Sequence, residues 1–173
     1  MRFLLNAVLV LCAVSVLAGA QRAPDAKVDT LLKRLFPAST RISSKEGAPP
    51  HFKIFGKPAG GDGETLIGFG FWTTELEPLE RGYDGPIKIL VGMDTRGTLA
   101  GVIVADHHEP YGYFSVEPPA FAAQFAGKSV RDPFKVGDDI DAVSRASISI
   151  QSATRAIRNS ARRMATQYLT PQR

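Results

Sequence analysis

The stretch IKILVGMDTRGTLAGVIVA, residues Ile87–Ala105, decides the fold. Two apolar runs, Ile87–Met93 and Leu99–Ala105, flank the segment DTRGT, in which Asp94 and Gly97 are residues typical of a tight turn. Apolar runs of this length, rich in valine and isoleucine and separated by turn residues, predict two antiparallel strands joined as a hairpin. We expect the hairpin to belong to an antiparallel sheet.

Two further strands are predicted before the hairpin, at residues 51–57 and 65–74, where apolar and polar residues alternate. The second contains GFGFW (68–72), whose glycines could suggest a phosphate-binding loop. Its alternation of glycine with aromatic residues indicates a strand instead, because no helix follows to receive a phosphate. The stretches 38–50 and 75–86, rich in proline, glycine and acidic residues, are predicted to be loops.

Three helices are predicted: Ala26–Phe36, Pro119–Ala126 and Ser149–Leu169. The last is long and amphipathic, and its apolar residues recur every three or four positions: Ala153, Ile157, Ala161, Met164 and Tyr168. Strands grouped in one part of the chain, with helices at its two ends, predict an α+β fold. We expect one domain, an antiparallel sheet with an N-terminal helix and a long C-terminal helix.

The first twenty residues are typical of a secretory signal peptide, with an apolar run (Phe3–Leu17) and a small-residue cleavage site ending at Ala20. Leu11 stands where lipidation at Cys12 would require a small residue, which favours cleavage near Ala20. Cys12 is the sole cysteine, so the mature chain, residues 21–173, would have no disulfide, thiolate metal site or iron–sulfur cluster.

The formal charge of the whole chain is +4. The predicted mature chain has one positive charge fewer, because Arg2 would be removed. The excess lies near the C-terminus, where no acid follows Asp141, in five arginines: Arg155, Arg158, Arg162, Arg163 and Arg173. A solvated helix face explains this pattern, and an acidic partner or a lipid surface is the functional alternative. Export makes a nucleic-acid partner a poor explanation.

Two motifs, DHHEP and GYDGP, contain residues that could contact a small ligand, but neither has the ligands of a metal site. His107 and His108 in DHHEP would point to opposite faces of a strand, and His107 with Glu109 would provide two ligands where metal sites need more. A strand ending at a pocket rim, with a histidine donating to a ligand, fits the segment better. In GYDGP (82–86), Tyr83 could pack against a planar ligand, or the segment could simply be a turn.

The stretch DAVSRASISI, residues 141–150, places three serines before the long helix. Ser144, Ser147 or Ser149 could cap the helix. A cap binds the free backbone N–H groups in the first turn of the helix. Those N–H groups would also stabilise a phosphate, whether the phosphate is bound reversibly or bonded to a hydroxyl. Periodicity does not distinguish these possibilities.

Together, residues 81–110, the stretch 141–150 and the basic helix resemble the periplasmic FMN-binding domain of the nitrous oxide reductase regulators (the NosR/NirI type). That domain is related to the flavin-carrying subunits of the Rnf and sodium-pumping NADH:quinone oxidoreductase complexes. The resemblance covers residues 32–165, and the order and spacing of its motifs are more specific than any one of them.

The resemblance implies FMN joined through its phosphate to a hydroxyl residue, usually threonine, in a D-x-x-S-x-A-T pattern, by a flavin transferase that uses FAD. Asp141, Ser144 and Ala146 match that pattern, Arg145 replaces a common glycine, and Ser147 stands where the threonine is expected. Serine keeps the nucleophilic oxygen. With Ser147 singled out by the resemblance, Ser149 is expected to be the plain helix cap. Further family positions expected around the flavin are Gly82, Tyr83, His107, His108 and Glu109.

The function implied is that of an electron carrier in the periplasm rather than a self-contained enzyme. The regulators continue into transmembrane helices and a cysteine-rich domain, whereas this sequence ends at Arg173. We therefore expect electrons to pass through separate, membrane-bound redox partners. The alternative is a non-redox accessory or sensory module of a respiratory complex, unflavinylated or binding FMN reversibly. The serine in place of threonine motivates that alternative.

Overall fold

The computed structural model describes residues 25–58 and 61–169, so the predicted signal peptide lies outside the described residues. The fold is the predicted α+β arrangement, with a five-stranded, entirely antiparallel sheet in the order β1-β2-β3-β4-β5. The strands are β1 (Ser39–Ile42), β2 (Phe52–Gly56), β3 (Thr65–Trp72), β4 (Lys88–Asp94) and β5 (Leu99–Asp106). The helices are α1 (Ala26–Leu35), α2 (Thr73–Leu76), α3 (Pro119–Ala123) and α4 (Ser147–Tyr168), with a 3-10 turn at Gly112–Phe114.

The predicted hairpin is confirmed as β4 and β5. Val91 pairs with Val102 in the antiparallel register. In the turn, Asp94 Oδ1 accepts the backbone N–H groups of Arg96 and Thr98, each at 2.8 Å. Gly97 has φ 84°, a left-handed conformation that glycine adopts without steric cost.

In GFGFW, the glycines lie on one face of the sheet, and the two phenylalanines lie on the other face. Gly70 lies against Leu32 of α1, and a Cβ there would collide with the leucine side chain. Phe69 and Phe71 point to the opposite face, into the larger core. Glycine on one face lets α1 approach the strand closely, while the aromatic rings fill the other side, which confirms the strand interpretation.

The larger core lies between the sheet and α4, whose apolar face is the one predicted. Its buried members from α4 are Ile150, Ala153, Ile157, Ala161 and Met164. The helix begins at Ser147, two residues before its predicted start, and ends at Tyr168. The first turn of α4 lies beside the connections that lead into β4 and out of β5.

Three elements were not predicted: β1, α2 and the 3-10 turn at Gly112–Phe114. The edge strand β1 pairs with β2 along its length, with register Ile42 to Ile54. The helix α2 begins at Thr73, where the preceding strand was expected to continue. The buried Thr73 hydroxyl accepts the Ile89 N–H at 3.1 Å and donates to the Ile87 carbonyl at 3.2 Å, which ties the end of β3 to the start of β4.

Acids from the connection before β4 oppose the arginines of α4. Arg155 pairs with Glu80 at 2.6 Å and Arg163 pairs with Glu77 at 2.9 Å. The absence of acids after Asp141 in the sequence therefore overstates the charge of this surface. Within residues 25–58 and 61–169, no helix combines the length and apolar character needed to cross a membrane.

Candidate functional site

A cleft of about 300 Å³ opens where α4 begins. The first turn of α4 forms one wall, and the connections preceding β4 and following β5 form the others. Its lining residues are Tyr83, Pro110, Tyr111, Arg145, Ala146, Ser147, Ile148 and Ser149. Three sequence-distant segments, each containing one of the motifs singled out in the sequence, are thus brought to one place.

The first turn of α4 presents unused backbone donors. Ala146 is the N-cap residue, and no side chain caps the helix. The first helical hydrogen bond runs from the Ile150 N–H to the Ala146 carbonyl at 3.0 Å. The N–H groups of Ser147, Ile148 and Ser149 therefore precede the helical ladder, at the end where the helix dipole is positive.

The three serines of this stretch lie in different surroundings. Ser147, the first residue of α4, is exposed and lines the cleft. Ser149 is 3% exposed, and its hydroxyl donates to Glu109 Oε2, so the prediction that it is the plain helix cap is wrong. Ser144 is exposed in the preceding turn, outside the cleft lining.

Glu109 joins two walls of the cleft from behind. One carboxylate oxygen accepts the Tyr83 N–H at 3.0 Å, and the other accepts the Asp84 N–H at 3.1 Å. Since the Ser149 hydroxyl donates to the same carboxylate, Glu109 links the loop carrying Tyr83 to α4. Burial would raise the pKa of Glu109, but these hydrogen bonds outweigh it and hold the pKa below its ordinary value.

Gly82 leaves room for the Glu109 carboxylate. A Cβ at this position would collide with both oxygens and the carboxyl carbon. The next residue, Tyr83, keeps 68% of its surface exposed, and Tyr111 across the cleft keeps 45%. Exposed aromatic rings at a cleft offer flat apolar surfaces, of the kind that a planar ligand can stack against.

His107 lies behind the cleft. Its Nδ1 accepts the Glu109 N–H at 3.1 Å, and its Nε2 lies 3.2 Å from Glu117. A Cβ at Gly112 would collide with the imidazole ring, so this ring fills the space under the 3-10 turn. With both nitrogens engaged inside the protein, His107 orients Glu109 and does not line the cleft.

Two further predicted residues also lie outside the cleft lining. His108 is exposed after β5. Asp141 is exposed, and its backbone N–H donates to Gln124 Oε1 at 2.7 Å. Within the described ranges, no group of three or more histidine, cysteine or acidic side chains has the geometry of a metal site.

Several lining residues were missed by sequence reasoning. Tyr111 follows the DHHEP motif in the sequence EPYGYF, and continuing the strand-end interpretation past Pro110 could have found it. In the sequence, Arg145 stands out only because it replaces a glycine that is common in the family. In the structure it adopts φ 69°, the left-handed conformation that favours glycine. Ile148, 54% exposed on the outer side of the first helical turn, carried no signal.

Comparison with known proteins bears directly on this cleft. Residues 82–162 match the FMN-binding domain family. The match begins at Gly82 and contains every residue that lines the cleft. It supports FMN as the ligand of this part of the chain.

A relative in Vibrio vulnificus (strain YJ016) is a subunit of the ion-translocating oxidoreductase complex, also called the Rnf complex. The chain is 33% identical to it over an alignment of 88 positions, which covers 45% of this chain and 42% of the relative. The chain therefore spans less than half the length of that relative.

Proposed function

We propose that this protein is an electron-transfer flavoprotein whose FMN is joined, through its phosphate, to the hydroxyl of Ser147. One observation carries the choice of residue: of the three serines before and within the first turn of α4, Ser147 alone is both exposed and part of the cleft lining. Ser149 is buried against Glu109, and Ser144 lies outside the cleft lining.

The residues present fit such a cofactor. A volume of about 300 Å³ lies at the small end of ligand pockets, so the cleft would hold part of a flavin and leave the rest in solvent. Tyr83 and Tyr111 provide aromatic surfaces for the ring system. The N–H groups at the start of α4 would face the phosphate, beside the Ser147 oxygen. When bound, FMN would supply the electron-transfer chemistry.

The attachment requires FAD and a flavin transferase. The Ser147 oxygen attacks the phosphorus atom nearer the riboflavin, a new phosphoester O–P bond forms, and the pyrophosphate bond of FAD breaks. AMP leaves, and the hydroxyl proton is lost to a base of the transferase. No electrons are exchanged in this step. The exposure of Ser147 gives the transferase access to the hydroxyl.

The cellular setting follows from the predicted signal peptide. We propose that the mature chain is periplasmic, with separate, membrane-bound redox proteins as electron donor or acceptor. The similarity to a subunit of an ion-translocating oxidoreductase complex supports a partner of that class. An ester bond would prevent loss of the flavin by dissociation outside the cell, which gives covalent attachment a physical reason.

Acid precipitation of the protein co-expressed with its flavin transferase tests this function. Yellow colour and flavin fluorescence should remain with the precipitated wild-type protein. They should be absent from the Ser147→Ala variant and present in the matched Ser144→Ala variant. Flavin released into the supernatant would indicate reversible binding, and a colourless wild-type protein would favour the non-redox accessory module.

A further inference from the structure

We propose that Arg145 is a specificity-determining residue that binds the phosphate group of the flavin ligand through its guanidinium. The inference rests on the proposed function for the identity of the ligand. It assigns to this chain's own arginine a role that the glycine common at this position in related sequences could not perform.

The backbone at Arg145 is the first observation. Its φ of 69° lies in the left-handed region, where a side chain is disfavoured and glycine is not. Among the described residues, Phe134 is the other non-glycine residue with positive φ, at 49°. Phe134 has an evident reason, because its side chain is 2% exposed and its ring packs against Phe125 in the core.

No comparable packing holds Arg145 in place. The residue is exposed, and its guanidinium forms no ion pair within residues 25–58 and 61–169. By contrast, Arg155 and Arg163 on α4 are paired with Glu80 and Glu77. An unfavourable backbone conformation at an exposed, unpaired cation indicates a functional reason for the side chain.

The place of Arg145 supplies that reason. It lines the cleft two residues before Ser147, and the intervening Ala146 is buried. A phosphate at the Ser147 oxygen would lie within reach of a flexible arginine side chain. Arginine binds phosphate through paired N–H donors, and charge-assisted hydrogen bonds of this kind are stronger than neutral ones. Riboflavin has no phosphate, so this contact would not increase its affinity.

The test compares FMN with riboflavin on protein purified without the transferase, using quenching of flavin fluorescence. Wild-type protein should bind FMN more tightly than riboflavin. Arg145→Gln and Arg145→Gly should each weaken FMN binding by about tenfold and leave riboflavin binding unchanged. Arg145→Gln keeps a side chain in the strained backbone conformation, whereas Arg145→Gly removes the side chain. Equal losses of FMN affinity in the two variants would therefore show that the guanidinium charge, and not the backbone, is responsible.

Arg131→Gln is the matched control, because Arg131 is an exposed arginine beside the opposite end of α4. It should leave both affinities at their wild-type values. An unchanged ratio of FMN to riboflavin affinity in the Arg145 variants would overturn the inference while leaving the proposed function intact. Wild-type protein that binds neither flavin and is not flavinylated by the transferase would contradict both.

Discussion

The Ser149 hydroxyl donates a hydrogen bond to the Glu109 carboxylate, which joins the first turn of α4 to the connection that follows β5, forty residues earlier in the chain. The same carboxylate accepts two N–H groups of the loop that carries Tyr83. Glu109 therefore holds together the walls of the cleft, although it is buried and is not among the residues that line it. The shape of the site depends on this carboxylate remaining ionised and fully hydrogen-bonded.

Glu109→Gln should destabilise the protein by about 1–3 kcal/mol. The Tyr83 and Asp84 N–H groups bind different carboxylate oxygens, so an amide must turn its own NH₂ toward one of these donors. Ser149→Ala should cost less, because it removes one of the three hydrogen bonds. Urea denaturation measures both changes. Glu64→Gln, on the exposed surface, is the control and should have a smaller effect; equal losses for Glu64→Gln and Glu109→Gln would contradict the assigned role.

The stability contributed by Glu109 should depend on pH. Because hydrogen bonding holds its folded-state pKa below the ordinary value of 4.5, the contribution is complete above that pH and is lost as the pH falls through the lower, folded-state value. The difference in unfolding free energy between wild type and Glu109→Gln should therefore be constant near neutrality and shrink as the pH falls below 4.5. Denaturation at a series of pH values measures it. If the difference in unfolding free energy grew as the pH fell, the prediction would be contradicted.

Gly82→Ala should disturb the cleft more than a typical surface substitution. A methyl group at Gly82 would collide with the Glu109 carboxylate, so the loop carrying Tyr83 or the carboxylate itself must move. We expect a loss of thermal stability together with weaker FMN binding. Gly61→Ala is the control, because the nearest atom to its added Cβ is Pro58 Cγ at an ordinary 3.5 Å. Equal behaviour of the two variants would show that the space at Gly82 is not needed.

Two substitutions at left-handed positions should differ in their effect on stability. Gly97→Ala places a side chain at φ 84° in the hairpin turn and should cost about 1–2 kcal/mol. Arg145→Gly removes a side chain from φ 69° and should leave the melting temperature equal or higher, since the relief of strain offsets the greater freedom of glycine when unfolded. Differential scanning calorimetry compares them. A clear loss of stability in Arg145→Gly would indicate that Arg145 is held by contacts within the protein.

The elements predicted best were those whose signal is local. The β4–β5 hairpin carries its turn chemistry within five residues, and the apolar spacing of α4 repeats over twenty. The edge strand β1 was missed because its sequence, STRI, is short and mostly polar, and its backbone pairing with β2 leaves no periodic pattern.

The cleft itself depends on contacts that no local pattern contains. The burial of Ser149 follows from Glu109, forty residues earlier, and the pairing of Arg155 follows from Glu80, seventy-five residues earlier. Sequence reasoning therefore found Ser147 and Tyr83 as candidates but assigned Ser149 to a cap. The hydrogen bonds of the Glu109 carboxylate to both walls of the cleft likewise carried no signal in the sequence.

The central proposal, an FMN ester on Ser147, is tested most directly by intact-mass measurement and peptide mapping. The mature protein, co-expressed with the flavin transferase, should be heavier by one FMN less one water, with the added mass on the peptide that contains Ser147. Ser147→Ala should abolish the addition, Ser144→Ala and Ser149→Ala should retain it, and Ser147→Thr should carry it as well. An unmodified wild-type protein, or an added mass that persists in Ser147→Ala, would contradict the proposal.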